Sequence, residues 1–450
     1  MKKASKMIEK TAIAGCLAAT MIASAAEKEK FPIYESLPLP RPENLKTFSE
    51  EDFAVDTVRI SKRTGKSLFV TPEGLVRMAG FYRETPEGRQ LWKNLSKQMV
   101  KILNGWDLLP ANFNRYTYRF SQLRTAAYVY ALSGCPELGE FVRGHILQAS
   151  RLPMEFWLHA ELRGYNREAP TGGLETAQVS GTVAIVMALA EDLFTPEEKE
   201  EVQSALREKG LIPCLRFVRA RKQSGNVNNW LAVVATGAYL SAGYLGDEKA
   251  LDEAGDALLW FVNAAVEDDG SYGEGIGYFD YPVGSIIPAI AAMPQEERRE
   301  FLAGSGLRRS AEWTAYPYLY GRLPDGSPDL TRLHFGDNSF WGRPTLSLLA
   351  LLSELNGDPL ARYLGDTFGQ PGWEESQWNL ALAREASIPE VKPRSPEELG
   401  LPLVRSFDNG ENFIRSSWEP GALLLSLYTA GPTRVNYGHQ RPERNAVTMA

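Results

Sequence analysis

The chain has 450 residues, of which 44% are apolar, 10% aromatic and 23% charged. That is enough apolar mass for a large core and excludes wholesale disorder. A formal net charge of -7 and a pI near 5.5 exclude a broad electrostatic footprint for nucleic acid, so any anionic ligand must meet local cations.

The first stretch, "MKKASKMIEKTAIAGCLAATMIASAAEKEK", pairs a basic start with an apolar run from Thr11 to Ala26 and small residues at Ala23 and Ala25. It predicts a secretory signal over 1–26, cleaved near Ala25 or Ala26, and hence an exported chain. "IAGC" also has the form of a lipobox ending at Cys16, but almost no apolar stretch precedes it. No later segment has the ~18 uninterrupted apolar residues of a membrane span. Cys135 and Cys214 lack metal-like spacing, which leaves either one disulfide or two buried thiols.

From about residue 75 to 365 the chain reads as helical, interrupted by "RETPEGRQLW", "LSGCPELGEF", "LFTPEEKEEV", "GYLGDEKALD", "AMPQEERREF" and "LNGDPLARYL". Taking Pro86, Pro136, Pro196, Gly246, Pro294 and Pro359 as markers, the steps are 50, 60, 50, 48 and 65 residues, one helical hairpin per step. Thr85 and Thr195 can cap a helix, Pro suits a first turn, and the acids that follow oppose the helix dipole. Six such pairs cannot each bury a face alone and must stack. An open solenoid and a closed (α/α) toroid both satisfy that need. The long, aromatic, Gly-rich loops at one end favour the toroid, over residues 27–395.

Within this region, "NFNRYTYRFSQLR" places Arg115 and Arg119 one helical turn apart, with Arg124 further on. Such a face can hold a carboxylate or sulfate in bidentate fashion, or simply be a solvated helix end paired to Asp or Glu. "SGNVNNWLAVVATG" puts Asn226, Asn228 and Asn229 at a helix mouth, more amides than one cap needs. "EDDGSYGEGIGYFDYPVG" has five glycines and four aromatic residues and reads as neither helix nor ordinary turn. It is either a loop packed on itself or a place where Tyr272, Tyr278 and Tyr281 offer phenols to a ligand close to backbone. "RLHFGDNSFWGRP" carries His334, Asp337, Asn338, Trp341 and Arg343, with Trp341 suited to stacking on a sugar face.

After about Gly400, "LPLVRSFDNGENFIRSSWEPGALLLSLYTAGP" alternates apolar and polar residues around Asn409-Gly410, with a second break at Pro420-Gly421. Residues 396–450 are therefore expected to form the first strands of an antiparallel β-sandwich. Fewer than ~60 residues fall short of a typical sandwich, so the expected domain is incomplete. The ending "RVNYGHQRPERNAVTMA" brings His439 with Arg434, Asn436, Arg441, Glu443 and Asn445.

Taken in order, "NNW", "DGSYGEGIGYFDY", "FGDNS", "FIRSSW" and "GHQRPERNAVTMA" resemble the heparinase II/III-like polysaccharide lyases, relatives of exolytic alginate lyases. The resemblance spans most of the chain after about residue 75. It implies a mainly α fold, an (α/α) toroid of about six helical hairpins followed by a β-sandwich, with an acidic polysaccharide bound between them and cleaved by β-elimination beside a uronic acid. It also implies that Asn229, with Asn228, holds the uronate carboxylate, that Tyr278 is the catalytic tyrosine with Tyr281 as the register alternative, and that His439 is the histidine of the sandwich. Arg115, Arg119, Glu274, His334 and Trp341 complete the expected substrate-binding set. The pattern departs after His439, where members usually carry an aspartate two residues on; Arg441 and Pro442 stand here, with Glu443 nearby. The histidine usual near the asparagine is also missing from the local sequence. No organic cofactor and no metal ligand are expected in the described motifs; a structural divalent metal would belong to the rest of the sandwich.

The residue types suit the reaction. A C5 proton beside a carboxylate is weakly acidic, so amides or cations must stabilise the charge that develops, while a phenol or imidazole moves protons. The rival readings are a glycoside hydrolase on the same toroid, with Asp269, Glu274 and Asp337 as its carboxyl candidates, and a non-catalytic carbohydrate-binding protein.

Overall fold

The computed structural model describes residues 37–61, 70–110, 116–163, 166–333, 335, 342–369, 390–429 and 446–449. They form a mainly helical body and a four-stranded antiparallel sheet. The expected signal segment lies outside the described residues, and among those described no helix is long and apolar enough to cross a membrane.

The helices come largely in pairs. α1 (Thr57–Ser61) precedes the pair α2 (Pro72–Glu84) and α3 (Pro86–Gly105). α4 (Tyr116–Phe120) leads into α5 (Gln122–Ser133) and α6 (Pro136–Arg151), followed by the single turn α7 (Met154–Trp157). α8 (Leu174–Ala190) turns back through α9 (Pro196–Ala205), a π-helical segment (Leu206–Leu211) and α10 (Ile212–Ser224). Next come α11 (Asn229–Leu245) with α12 (Glu248–Ala265), then α13 (Ile276–Ala292) with α14 (Gln295–Ala303) and α15 (Ser310–Ala315). α16 (Leu346–Asn356) and α17 (Pro359–Phe368) end the series.

All six breaker markers sit at the junctions of these pairs. Thr85 accepts a hydrogen bond from the Gly88 N–H ahead of α3, Thr195 forms a capping box with Glu198 ahead of α9, and Asp358 accepts from Leu360 and Ala361 ahead of α17. Gly246 closes α11 at φ 67°, where the left-handed backbone favours a residue without Cβ, and Asp247 caps α12.

The first helices of the later pairs pack on one another in succession, α5 on α8, α8 on α11, α11 on α13 and α13 on α16. α8 and α11 run side by side in the same direction: Gly173 faces Trp230, Ala177 faces Gly237, and Gly181 faces Leu240. Their backbones touch at Gly237, where an added Cβ would stand 2.5 Å from the Ala177 Cα. Every residue of α8 is buried except Gln178. A helix enclosed on all sides within a row of parallel helices gains its stability from packing, not from an amphipathic stripe.

Sequence reading and structure differ at "EDDGSYGEGIGYFDYPVG". Only its first part is a loop, stapled by a Val266–Tyr272 bridge; from Ile276 the chain is helical despite Pro282 and Pro288 inside α13. Gly275, at φ 82°, makes the turn into it. Burial overrides the breakers: Val283, Ile286, Ile287 and Ile290 have no exposed surface.

The sheet has strand order β1 (Val404–Ser406), β2 (Glu411–Arg415), β3 (Leu424–Tyr428) and β4 (Ala446–Met449), all antiparallel. Gly410 (φ 93°) and Gly421 (φ 81°) turn the chain at the two predicted breaks. One face presses Phe413 and Trp418 against Tyr316. The other carries Val404, Ile414, Leu425 and Met449 in register, an apolar row of the kind that a second sheet covers in a sandwich.

The turn between β1 and β2 docks on the helical body, with Phe407, Asn409 and Gly410 buried and Asp408 exposed. The Asp408 N–H donates to Asp269 Oδ2 (2.7 Å), the Asn409 N–H to Ser271 Oγ (3.2 Å) and Asn409 Nδ2 to the Tyr272 carbonyl (3.1 Å). Glu411, 1% exposed, accepts from Asn409 Nδ2 (3.0 Å) and Trp313 Nε1 (2.8 Å) through one oxygen. Burial pushes its carboxyl up to about 7. Arg415 donates to the Tyr316 and Tyr318 carbonyls and lies over the Trp418 ring. Cys135 and Cys214 are both free and buried.

Candidate active site

The inner helices open to solvent near their N-terminal ends. On α5 the uncovered positions there are Gln122 and Arg124, on α8 Gln178, and on α11 Trp230 with Asn228 just before it. On α13 they are Gly277, Tyr278, Asp280, Tyr281, Gly284 and Ser285. The spacing on α13 is that of one helical face, so a polar, Gly-lightened stripe lines the mouth.

α5, α8, α11, α13 and α16 have no side-chain cap at their N-termini, nor do α6 and α14, whereas α2, α3, α9, α12 and α17 are capped by Thr71, Thr85, Thr195, Asp247 and Asp358. At α11 and α13, which carry Asn229 and Tyr278, uncapped first turns put backbone N–H groups and a positive dipole end beside the pair, an environment that favours anions.

Asn229 and Tyr278 meet there. Asn229, 5% exposed, donates Nδ2 to the Tyr278 hydroxyl oxygen at 2.5 Å. The two residues start adjacent helices, so the packing of α11 on α13 fixes the pair. A donor on the phenol oxygen stabilises negative charge developing on it. Tyr281, one turn on, meets the Tyr278 ring edge-on with centroids 6.1 Å apart. Burial, with Tyr118, Tyr278 and Glu175 nearby, holds the Tyr281 phenol above the ordinary range.

Asn228 occupies the N-cap position of α11 without capping, and its Oδ1 is buried with no hydrogen-bond partner among the described residues. Its backbone carbonyl accepts from Leu231. The amide oxygen is thus available to a ligand group that donates.

The structure adds residues that the sequence did not single out. His159 packs on Trp230 with centroids 4.7 Å apart and stands 3.7 Å from Glu175 through Nε2. Its Nδ1 accepts from the Glu161 N–H, which puts the ring proton on Nε2, toward the carboxylate. His159 comes from the loop after α7, far in sequence from the "NNW" it joins.

Two expected binding residues have other work. Arg119 donates to Asp107 Oδ2 (2.9 Å) and to the Leu108 and Leu109 carbonyls, and is 9% exposed. It ties the chain before α4 to the helix and is not presented to a polymer. Glu274 is buried and accepts the Tyr272 hydroxyl at 2.7 Å. Asp269, a carboxyl candidate of the hydrolase reading, holds Ser271 and the Asp408 N–H. Arg115, His334, Asp337, Trp341 and His439 lie outside the described residues. No cluster of three or more His, Cys, Asp or Glu able to hold a metal occurs among the described residues.

No protein-family model matches the chain, and no curated protein matches it. Among solved structures, the chain is similar to a crystal structure of heparinase III, with 16% identity and a TM-score of 0.44. The match covers 92% of this chain and 59% of that one, so the chain spans less than two thirds of that protein's length. No residue of this chain takes a role from the superposition.

Proposed function

We propose that this chain is a polysaccharide lyase that cleaves a uronate-containing polysaccharide by β-elimination, its helical pairs closing into an (α/α) toroid and its sheet beginning a β-sandwich. The observation that carries the reading is the Asn229–Tyr278 hydrogen bond at the open mouth of the inner helices.

In this reading the uronate carboxylate lies against the Asn229 and Asn228 amides and the uncapped helix N-termini. These donors stabilise the enolate-like charge as the C5 proton leaves. Tyr278 reacts as the phenolate and takes that proton, the C5–H electron pair forms the C4–C5 double bond, and the C4–O bond breaks. The phenol then returns the proton to the departing glycosidic oxygen, so one group serves as base and acid. His439 is kept as a second proton-handling or orienting group. The partner is an acidic polysaccharide or oligosaccharide, met after export. Of the three carboxyl candidates of the hydrolase reading, Asp269 and Glu274 are hydrogen-bonded within the fold and Asp337 lies outside the described residues.

The test is product chemistry. Purified protein incubated with a panel of uronate polymers should generate an unsaturated uronate with near-ultraviolet absorbance, in step with new reducing ends. Reducing ends without that absorbance would establish hydrolysis and overturn the reading.

A further inference from the structure

Arg124 is one of several guanidinium groups with no carboxylate partner among the described residues, with Arg216, Arg221 and Arg394, and of these it is the one at the mouth of the inner helices. Arg59, Arg119, Arg143, Arg151, Arg207, Arg219, Arg362 and Arg405 all form ion pairs with carboxylates. Arg415 has no carboxylate but is fixed between backbone carbonyls and the Trp418 ring. Arg124 donates Nε to Thr182 Oγ1 (2.9 Å) and Nη2 to the Gln178 carbonyl (3.4 Å), and no carboxylate among the described residues pairs with it. Its Nη1 hydrogens have no partner among the described residues.

The position is as telling as the missing counter-ion. Arg124 is in the first turn of α5, one of the two open positions at that helix start, and it leans on Gln178, the single residue of α8 that is not buried. The Gln178 Oε1 is itself buried without a hydrogen-bond partner. Gln178 lies one turn along α8 from Glu175, which acts electrostatically on Tyr281. A cation and an acceptor, both unsatisfied, thus stand side by side on the wall of the mouth that holds Tyr278. Burial also draws the Arg124 guanidinium down to about 10, still within the range that leaves it charged at neutral pH. Thr182 and the Gln178 carbonyl fix the plane of the guanidinium, so its outer edge is ready for two parallel hydrogen bonds.

We infer that Arg124 and Gln178 form a second anion-recognising subsite, in which the guanidinium binds the carboxylate or sulfate of the sugar next to the reacting uronate and the Gln178 amide oxygen accepts one of its hydroxyls. The inference rests on the lyase reading for the identity of the polymer, but the subsite is a property of α5 and α8 alone. It predicts that the protein grips an oligosaccharide with two neighbouring anionic sugars more tightly than one in which acidic and neutral sugars alternate.

Two measurements test it. Calorimetric titration of Tyr278→Phe with a homopolymeric uronate tetramer, an alternating uronate–neutral tetramer and a sulfated alternating tetramer reads binding without turnover. Arg124→Ala in that background should weaken the homopolymeric or the sulfated ligand, whichever supplies the neighbouring anion, about tenfold or more, and the alternating neutral ligand far less. Arg124→Lys should restore part of the loss, and Gln178→Leu should give a smaller loss for all three. In the active protein, Arg124→Ala should raise KM about tenfold with a much smaller change in kcat, and should flatten the rise of KM with salt.

If the active protein makes unsaturated product while Arg124→Ala and Arg124→Lys leave KM and its salt dependence unchanged, the subsite falls and the lyase reading stands. If no unsaturated product forms from any polymer but binding still depends on Arg124, the subsite stands and the lyase reading falls. Should Arg124→Ala lower the thermal midpoint, Arg124→Lys and Gln178→Leu decide the matter.

Discussion

Replacing Glu411 by Gln should stabilise the protein at alkaline pH and leave it nearly unchanged in mild acid. The Glu411 carboxyl is buried at the junction of sheet and helices, under the Asn409 amide and the Trp313 indole. Burial raises it from 4.5 to about 7, outweighing the two donors that favour its charge. The change is upward, so the folded protein holds this proton more tightly than the unfolded chain does. The stability it contributes is complete below about 4.5 and is lost as pH rises through about 7. Each tenfold gain in proton affinity on folding is worth about 1.4 kcal/mol, so the charged form destabilises the fold by about 3 kcal/mol at pH 8. Gln keeps the shape and an acceptor oxygen without the charge. The assay is the thermal midpoint of Glu411→Gln and wild-type protein at pH 5 and pH 8, with an expected gain of several degrees at pH 8. A difference of the same size and sign at both pH values would refute the placement of a buried, titrating carboxyl at the junction.

Three further outcomes follow from the geometry. Tyr278→Phe should lower the elimination rate about 10²- to 10⁴-fold, as loss of a general acid–base group does, and retention of more than a tenth of the rate would remove Tyr278 from proton transfer. Arg119→Ala should cost about 2–3 kcal/mol in urea unfolding through its lost bonds to Asp107, Leu108 and Leu109, while KM for a uronate polymer stays within about twofold. The reverse pattern, intact stability and a raised KM, would return Arg119 to the binding surface. Gly237→Ala should lose about 1–3 kcal/mol by wedging α8 from α11 at Ala177, and unchanged unfolding would contradict the backbone contact there.

The helix junctions were legible because their chemistry is local. Thr195, Pro196 and Glu198 supply a cap, a first-turn ring and a capping box within four residues, and the structure makes those bonds. The Asn409-Gly410 turn was legible for the same reason, since a two-residue backbone demand names its own residues. α13 was not, because its glycines and prolines argue locally against a helix while the force that makes it one is burial against α11 and α16. The resemblance named Asn229 and Tyr278 for separate roles, and the hydrogen bond between them is added by the packing of α11 on α13. Arg119 and Arg124 looked alike in sequence. Arg119 finds a carboxylate in Asp107 and Arg124 finds none among the described residues, a difference that rests on which segment packs beside each and that no periodicity reveals. His159 and Glu175 reach each other through a loop that carries no recognisable spacing at all.

The docked turn between β1 and β2 constrains how this architecture could be recombined. Asp269, Ser271 and the Tyr272 carbonyl are the sockets for Asp408 and Asn409, and Gly275, three residues further on, starts the helix that bears Tyr278. A crossover placed between helices and strands would separate plug from socket. Transplanting a foreign sheet onto these helices would therefore require carrying residues 267–275 along with it, since that short segment is shared property of both halves.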